Sequence, residues 1–99
     1  MAITEQQRRR LKKLVHHLKP VVIIGQHGLS EGVLNEIDIA LDSHELIKIK
    51  LGGGDRNTRK TMVEAICEKT GADFVHSIGH IAAFYRRHPK KPKIKIGLP

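Results

Sequence analysis

The stretch Val21-Val22-Ile23-Ile24-Gly25-Gln26-His27-Gly28-Leu29-Ser30 constrains the fold of this chain more than any other. Its β-branched run reads as a buried strand, because Val and Ile fit a pleated surface and the run is too short for a buried helix. Two glycines then let the backbone turn sharply and come close to another group, with no Cβ in the way. Ser30 is a good helix N-cap, with Leu29 and Leu34 placed as a hydrophobic staple around it. Strand, Gly-x-x-Gly turn and helix N-terminus together form a place where backbone N–H groups can meet an anion.

Ninety-nine residues suffice for one domain with a single modest core. One cysteine, Cys67, excludes an internal disulfide framework and fits a reducing compartment. No apolar run approaches membrane-spanning length. Arg8-Arg9-Arg10 is not followed by the apolar stretch of a secretory signal. A cytoplasmic monomer without membrane association is expected. The net charge is +8, and it is concentrated at the two ends of the chain. Residues 1–19 carry six Lys/Arg against one acid, and residues 86–99 carry six against none. The middle, 20–85, carries six against nine. A polarised basic surface attracts phosphate polymers, whereas a merely solvating surface mixes both signs.

Thr4 and Gln7 form a capping box, and Leu11, Leu14, Val15 and Leu18 follow at helical spacing until Pro20. The first helix is therefore placed at 4–19. Arg9, Lys13 and His16 lie opposite its apolar stripe, with Arg8, Lys12 and Lys19 on one flank. It has no Trp or Phe for a bilayer, so core packing is preferred over membrane binding. A strand is expected at 21–24 and a helix at 30–44, the latter with an acidic outer face of Glu31, Glu36, Asp38 and Asp42. Residues 46–51 alternate: Ile47, Ile49 and Leu51 point one way, Lys48 and Lys50 the other. One face of the sheet is thus covered and the other wetter at this strand. Gly52-Gly53-Gly54-Asp55 forms a loop before a helix at 56–70, which Gly71 ends. Strands at 73–78 and 80–86 pair as a hairpin. The lysines and prolines of 88–99 read as an extended basic tail, with a short strand possible at 94–96. The order α-β-α-β-α-β-β gives an α/β sandwich with a four-stranded mixed sheet, spanning residues 1–87.

Enzymatic and metal chemistry find little support in the residues. Seven histidines are present, but no Cys-x-x-Cys or His-Glu-x-x-His. Cys67 sits on an apolar helix stripe and reads as a structural thiol. Gly52-Gly53-Gly54-Asp55-Arg56 lacks the ending of a nucleotide-binding P-loop. Neither a cofactor nor a catalytic residue is expected. The Gly25–Gly28 turn is different in context, since Gly-x-x-Gly loops clamp a nucleic-acid backbone where glycines permit close approach. Only Phe74, Phe84 and Tyr85 are aromatic, too few for a base-stacking platform, so contacts should go mainly to phosphate and sugar. Glu31, in the first turn of the following helix, favours the helix dipole but repels phosphate.

Taken in order, Ile24-Gly25-Gln26-His27-Gly28-Leu29-Ser30, Glu45-Leu46-Ile47-Lys48-Ile49-Lys50, Lys69-Thr70-Gly71-Ala72, Ile78-Gly79 and Tyr85-Arg86 resemble the CRM domain (chloroplast RNA splicing and ribosome maturation). The resemblance covers residues 3–87, and the length is similar to the stand-alone bacterial, YhbY-like form. It implies a fold similar to the C-terminal domain of bacterial translation initiation factor three. It also implies RNA binding through the Gly-x-x-Gly loop and adjacent basic surface, and association with precursors of the large ribosomal subunit. Family members often carry a basic residue between the two glycines. Here Gln26-His27 stands there, which moves the expected charge onto the first helix and Arg86-Arg87.

The expected activity is non-enzymatic RNA binding that assists large-subunit assembly. Gly25 and Gly28 give close approach, Gln26 and His27 polar contacts, and Arg9, Lys12, Lys13, Arg86 and Arg87 phosphate contacts. A DNA-binding or nucleoid module would use the same charges, but no helix-turn-helix spacing is visible. A nucleic-acid-modifying enzyme acting through His27 or Asp55 ranks last, because no activated pair accompanies either. Both basic segments are expected to lie beside the loop.

Overall fold

The structure is a computed structural model and describes residues 3–25, 28–52 and 54–90. Its elements run α1 (Glu5–Val15), β1 (Pro20–Ile23), α2 (Glu31–His44), β2 (Leu46–Lys50), α3 (Arg56–Thr70), β3 (Asp73–Ile78) and β4 (Ile81–Tyr85). The 94–96 segment lies outside the described residues.

The α1 capping box is present. The Thr4 hydroxyl accepts from Gln7 N–H at 3.1 Å, and Gln7 Oε1 accepts from Thr4 N–H at 2.9 Å. The helix stops at Val15, four residues before the expected end at 19. Its periodicity continues through Leu18, but tighter bonds replace the helical ladder: His17 N–H to Leu14 O at 3.2 Å and Leu18 N–H to Val15 O at 3.0 Å. Lys48 Nζ then donates to Leu18 O at 2.9 Å and holds the connector against β2. Pro20 does not terminate the helix. It opens β1, an edge strand, where a missing N–H is tolerated.

The sheet order is β1-β2-β4-β3. β1 and β2 pair in parallel, and β4 pairs antiparallel with both β2 and β3. β4 thus fills the gap that the β2-α3-β3 crossover leaves between two parallel strands. One sheet face is covered by α2 and α3. Val22, Ile24, Ile47, Ile49, Ala82 and Phe84 bury there against Ile37, Leu41 and Ile66. The other face is covered at one end, where Leu11 and Val15 of α1 pack on Leu46, Val75, Ala83 and Tyr85. Removing the fully buried Leu11 side chain would cost about 2–5 kcal/mol. Toward the opposite end the same face opens: Lys48 is half-buried and Lys50 exposed. The wetter face read from the alternation of β2 is therefore wet only beyond the reach of α1.

Candidate nucleic-acid interface

The C-terminal ends of β1 and β2 carry two glycine loops that brace one another. Ile24 N–H donates to Lys50 O at 2.9 Å, extending the strand pairing to the edge of the first loop. Gly28 N–H closes that loop on Gly25 O at 3.1 Å, with Gly28 in the left-handed region at φ 67°. Ser30 N–H then bonds Gly28 O at 3.1 Å, and the Ser30 hydroxyl accepts from Val33 N–H at 3.2 Å to cap α2. Gly52 backs the loop from inside. A Cβ there would lie 2.7 Å from Ile24 O and 3.2 Å from Gly25 O, so only glycine allows the two loops to touch. The third member of this end is the β3–β4 turn, tied in by Leu51 N–H to His80 O at 2.6 Å.

Gly25 itself is under no such demand. A Cβ there would meet nothing within 4 Å, and its φ lies outside the positive region. Neither packing within the described residues nor a positive φ requires a glycine at this position. Gln26 and His27, expected as polar contacts, lie outside the described residues.

On the sheet face that α1 leaves open, the positive charge comes from Lys48 and Lys50 of β2, with Lys12 and His16 of α1 beside His76. Arg9 and Lys13 are exposed on α1, and Lys12 is half-buried. Lys12 and His16 reach toward His76 on β3, whose imidazole is held below its usual value by partial burial, then by the Lys12 and His16 charges. Val15, His16, Lys48, His76, Ile78, Ile81 and Ala83 line a groove at the free edge of α1. A basic strip thus runs from Lys12 and His16 through Lys48 to Lys50, which pairs with Ile23 two residues before Gly25. Sequence reasoning did not single out Lys48 and Lys50 as site residues. Their signal was the alternation of β2, which put both on the wet face.

Arg86 and Arg87 do not join this surface, contrary to the expectation that both basic segments lie beside the loop. Tyr85 pairs with Leu46, the first residue of β2, whereas Ile23 pairs with Lys50, the last. Four strand residues, roughly 13 Å, separate the two ends. Arg86 is moreover engaged. It bonds Asp38 Oδ1 at 2.6 Å, Asp42 Oδ1 at 2.9 Å, Asp38 O at 3.1 Å and Thr70 O at 2.8 Å. It clamps α2 to the end of α3 instead of offering a free cation. Arg87 is exposed but shares that end.

Of the reactive candidates, Asp55 caps α3, its Oδ1 accepting from Thr58 N–H at 2.8 Å, and His27 lies outside the described residues. Burial and the Asp73 charge push the half-buried Cys67 thiol up, away from the reactive thiolate. Among the described residues, no group of three or more His, Cys, Asp or Glu side chains could hold a metal ion, and no helix is long and apolar enough to cross a membrane.

The family model for the CRS1 / YhbY (CRM) domain matches residues 3–86. The chain belongs to the CRM domain family. Curated relatives include a probable RNA-binding protein of Pseudomonas aeruginosa, 45% identical over 93 residues, 94% of this chain and 89% of the relative. An RNA-binding protein of Haemophilus influenzae is 47% identical over 97 residues, 98% of this chain and 95% of the relative. The solution structure of a hypothetical Staphylococcus aureus protein, described as a candidate RNA-binding protein, superposes with a TM-score of 0.82 at 32% identity. That match covers 98% of this chain and 99% of the other. This CRM domain thus has the mixed α/β fold with three helices and four strands that the sequence resemblance implied.

Proposed function

We propose that this CRM domain is a non-enzymatic RNA-binding protein that associates with precursors of the large ribosomal subunit and assists their assembly as a cytoplasmic monomer. The observation that carries the RNA-binding part is Gly25, a glycine that neither packing nor backbone conformation requires, at the head of a basic surface. RNA-binding relatives across nearly the whole chain length support the same reading. In this reading Gly25, Gln26, His27 and Gly28 meet the RNA backbone. Arg9, Lys12, Lys13, Lys48 and Lys50 neutralise phosphates. The basic segment 88–99 adds non-specific electrostatic attraction. The ribosomal part rests on the family resemblance.

The test is affinity for a single-stranded RNA over a range of salt, with matched DNA beside it. About five neutralised phosphates predict a log–log slope of roughly −3 to −4. Binding that ignores salt, or equal affinity for RNA and DNA, would contradict the reading. Co-sedimentation with large-subunit precursors from cells tests the ribosomal part, and its absence there would remove that part alone.

A further inference from the structure

A single row of side chains crosses the open half of the sheet. Ile23 pairs with Lys50, Lys50 with Ile81, and Ile81 with Ile78. Residues opposite one another in paired strands point to the same face, and here it is the face that α1 leaves open. The neighbours Val22, Ile49 and Ala82 bury on the other face, which fixes the direction. Ile23 is 67% exposed and Ile78 63% exposed, so two large aliphatic side chains stand in solvent on opposite edge strands. Lys50 stands between them, exposed, with no hydrogen-bond or ion-pair partner among the described residues. The next row inward carries Lys48, Ala83 and His76. No acidic residue occurs in either row.

We propose that this row seats unpaired nucleotides of the RNA strand that passes the Gly25–Gly28 loop, and so makes the protein prefer single-stranded over duplex RNA. The inference rests on the RNA-binding reading above. Ile23, Ile81 and Ile78 take the faces of bases and riboses, and Lys50 takes the phosphate between them. Two arguments fix the occupant. A protein partner would bury the centre of the patch, and interface centres are depleted of Lys. An unpaired Lys50 flanked by isoleucines suits a ligand that is apolar in its rings and anionic in its backbone. Duplex RNA hides its base faces and is read through phosphates and 2′-hydroxyls, which would leave the isoleucines without a partner. Only a strand with splayed bases uses both parts of the row. The row begins at Ile23, two residues before Gly25, so a backbone passing the loop continues directly onto it.

The test compares wild type with Ile23→Ser/Ile78→Ser and with Lys50→Ala. Each is titrated with a single-stranded RNA and with a duplex of equal length. Both isoleucines are exposed, so the double variant should keep its thermal transition. The expected result is a loss of single-strand affinity of about five- to tenfold for the double variant, with duplex affinity within about twofold. Lys50→Ala should flatten the single-strand salt slope by about 0.7, an independent route to the same site. Wild-type single-strand affinity in both variants, or equal losses on the two RNAs, would overturn the row. So would a shift in oligomeric state by light scattering with RNA affinity intact, which would mark a protein contact. A wild-type protein that binds neither RNA would instead overturn the RNA-binding reading and the row together.

Discussion

The two ends of the sheet carry similar residues and put them to opposite uses. At the end where β4 stops, Arg86 gives its guanidinium to two carboxylates and two backbone carbonyls. Nearby, Glu45 is fully buried at φ 62°, and its Oε2 accepts from His88 N–H at 2.6 Å. At the other end Lys50 has no partner among the described residues, Gly25 faces open space, and Ile23 and Ile78 stand in solvent. One end is closed on itself, and the other leaves charge, apolar surface and backbone approach unspent. A cation's contribution depends on what the fold sets beside it. Among the described residues, Arg86 and Arg87 lie at the end of the sheet away from the Gly25–Gly28 loop.

The largest separable effect should come from the closed end. Arg86→Ala removes hydrogen bonds to two carbonyls and ion pairs to two well-exposed aspartates; exposure limits the ion pairs to about 1 kcal/mol or less. With the carbonyl bonds the total loss should be about 2–3 kcal/mol, a drop in melting temperature on the order of 10–20 °C. RNA affinity measured well below that transition should stay within about twofold of wild type. A large loss of affinity in a folded Arg86→Ala would break the division between the ends.

The converse change is Gly25→Asp. A side chain there meets no neighbour, so stability should stay within about 0.5 kcal/mol. RNA affinity should fall about tenfold or more, through bulk and negative charge at the approach point. Gly28→Asp is a poorer probe, because its φ of 67° would strain any other residue.

Smaller again is the share of α1. Lys12→Ala with Lys13→Ala should flatten the salt slope for single-stranded RNA by about 1.4, with little change in thermal stability. An unchanged slope would confine the site to the loop and sheet.

The smallest effect is on pH. Burial, Lys12 and His16 hold the His76 imidazole below its ordinary value, so it is neutral at pH 7. Lys12, His16 and Lys48 face it. Lowering the pH through the depressed His76 value charges its imidazole and adds positive charge beside the open row. RNA affinity should rise about two- to threefold beyond the effect on RNA alone, and His76→Asn should reduce the gain. Stability runs the other way. The unfolded imidazole takes its proton first, so the neutral group's contribution is complete above about pH 6.5 and declines as the pH falls through the lower folded value.

Much of the fold was legible because local chemistry and tertiary packing agree. The Thr4–Gln7 box, the Ser30 cap, Gly71 at the end of α3, and the alternation of β2 each specify one element, and each is found where expected. Asp55, read as part of a loop, also caps α3. The end of α1 was not legible, since Leu18 kept the helical spacing while the backbone had already tightened. Nor was the insertion of β4 between β2 and β3, which depends on crossovers that no short pattern records. That insertion aligns Lys50 with Ile81 and Ile78. The role of Arg86 was hidden for the same reason. Asp38 and Asp42 looked like a solvated helix face, and nothing local revealed that an arginine 48 and 44 residues away would dock between them.

The central claim is that RNA is held at the loop end of the sheet. Amide chemical-shift mapping during titration with a single-stranded RNA tests it most directly. The predicted result is a contiguous set of shifts at Gly25, Gly28, Lys48, Lys50 and residues 78–81, extending to Lys12 and His16, with Asp38, Asp42, Thr70 and Arg86 unmoved. Shifts centred on Arg86 and its carboxylate partners, with the loop silent, would contradict it.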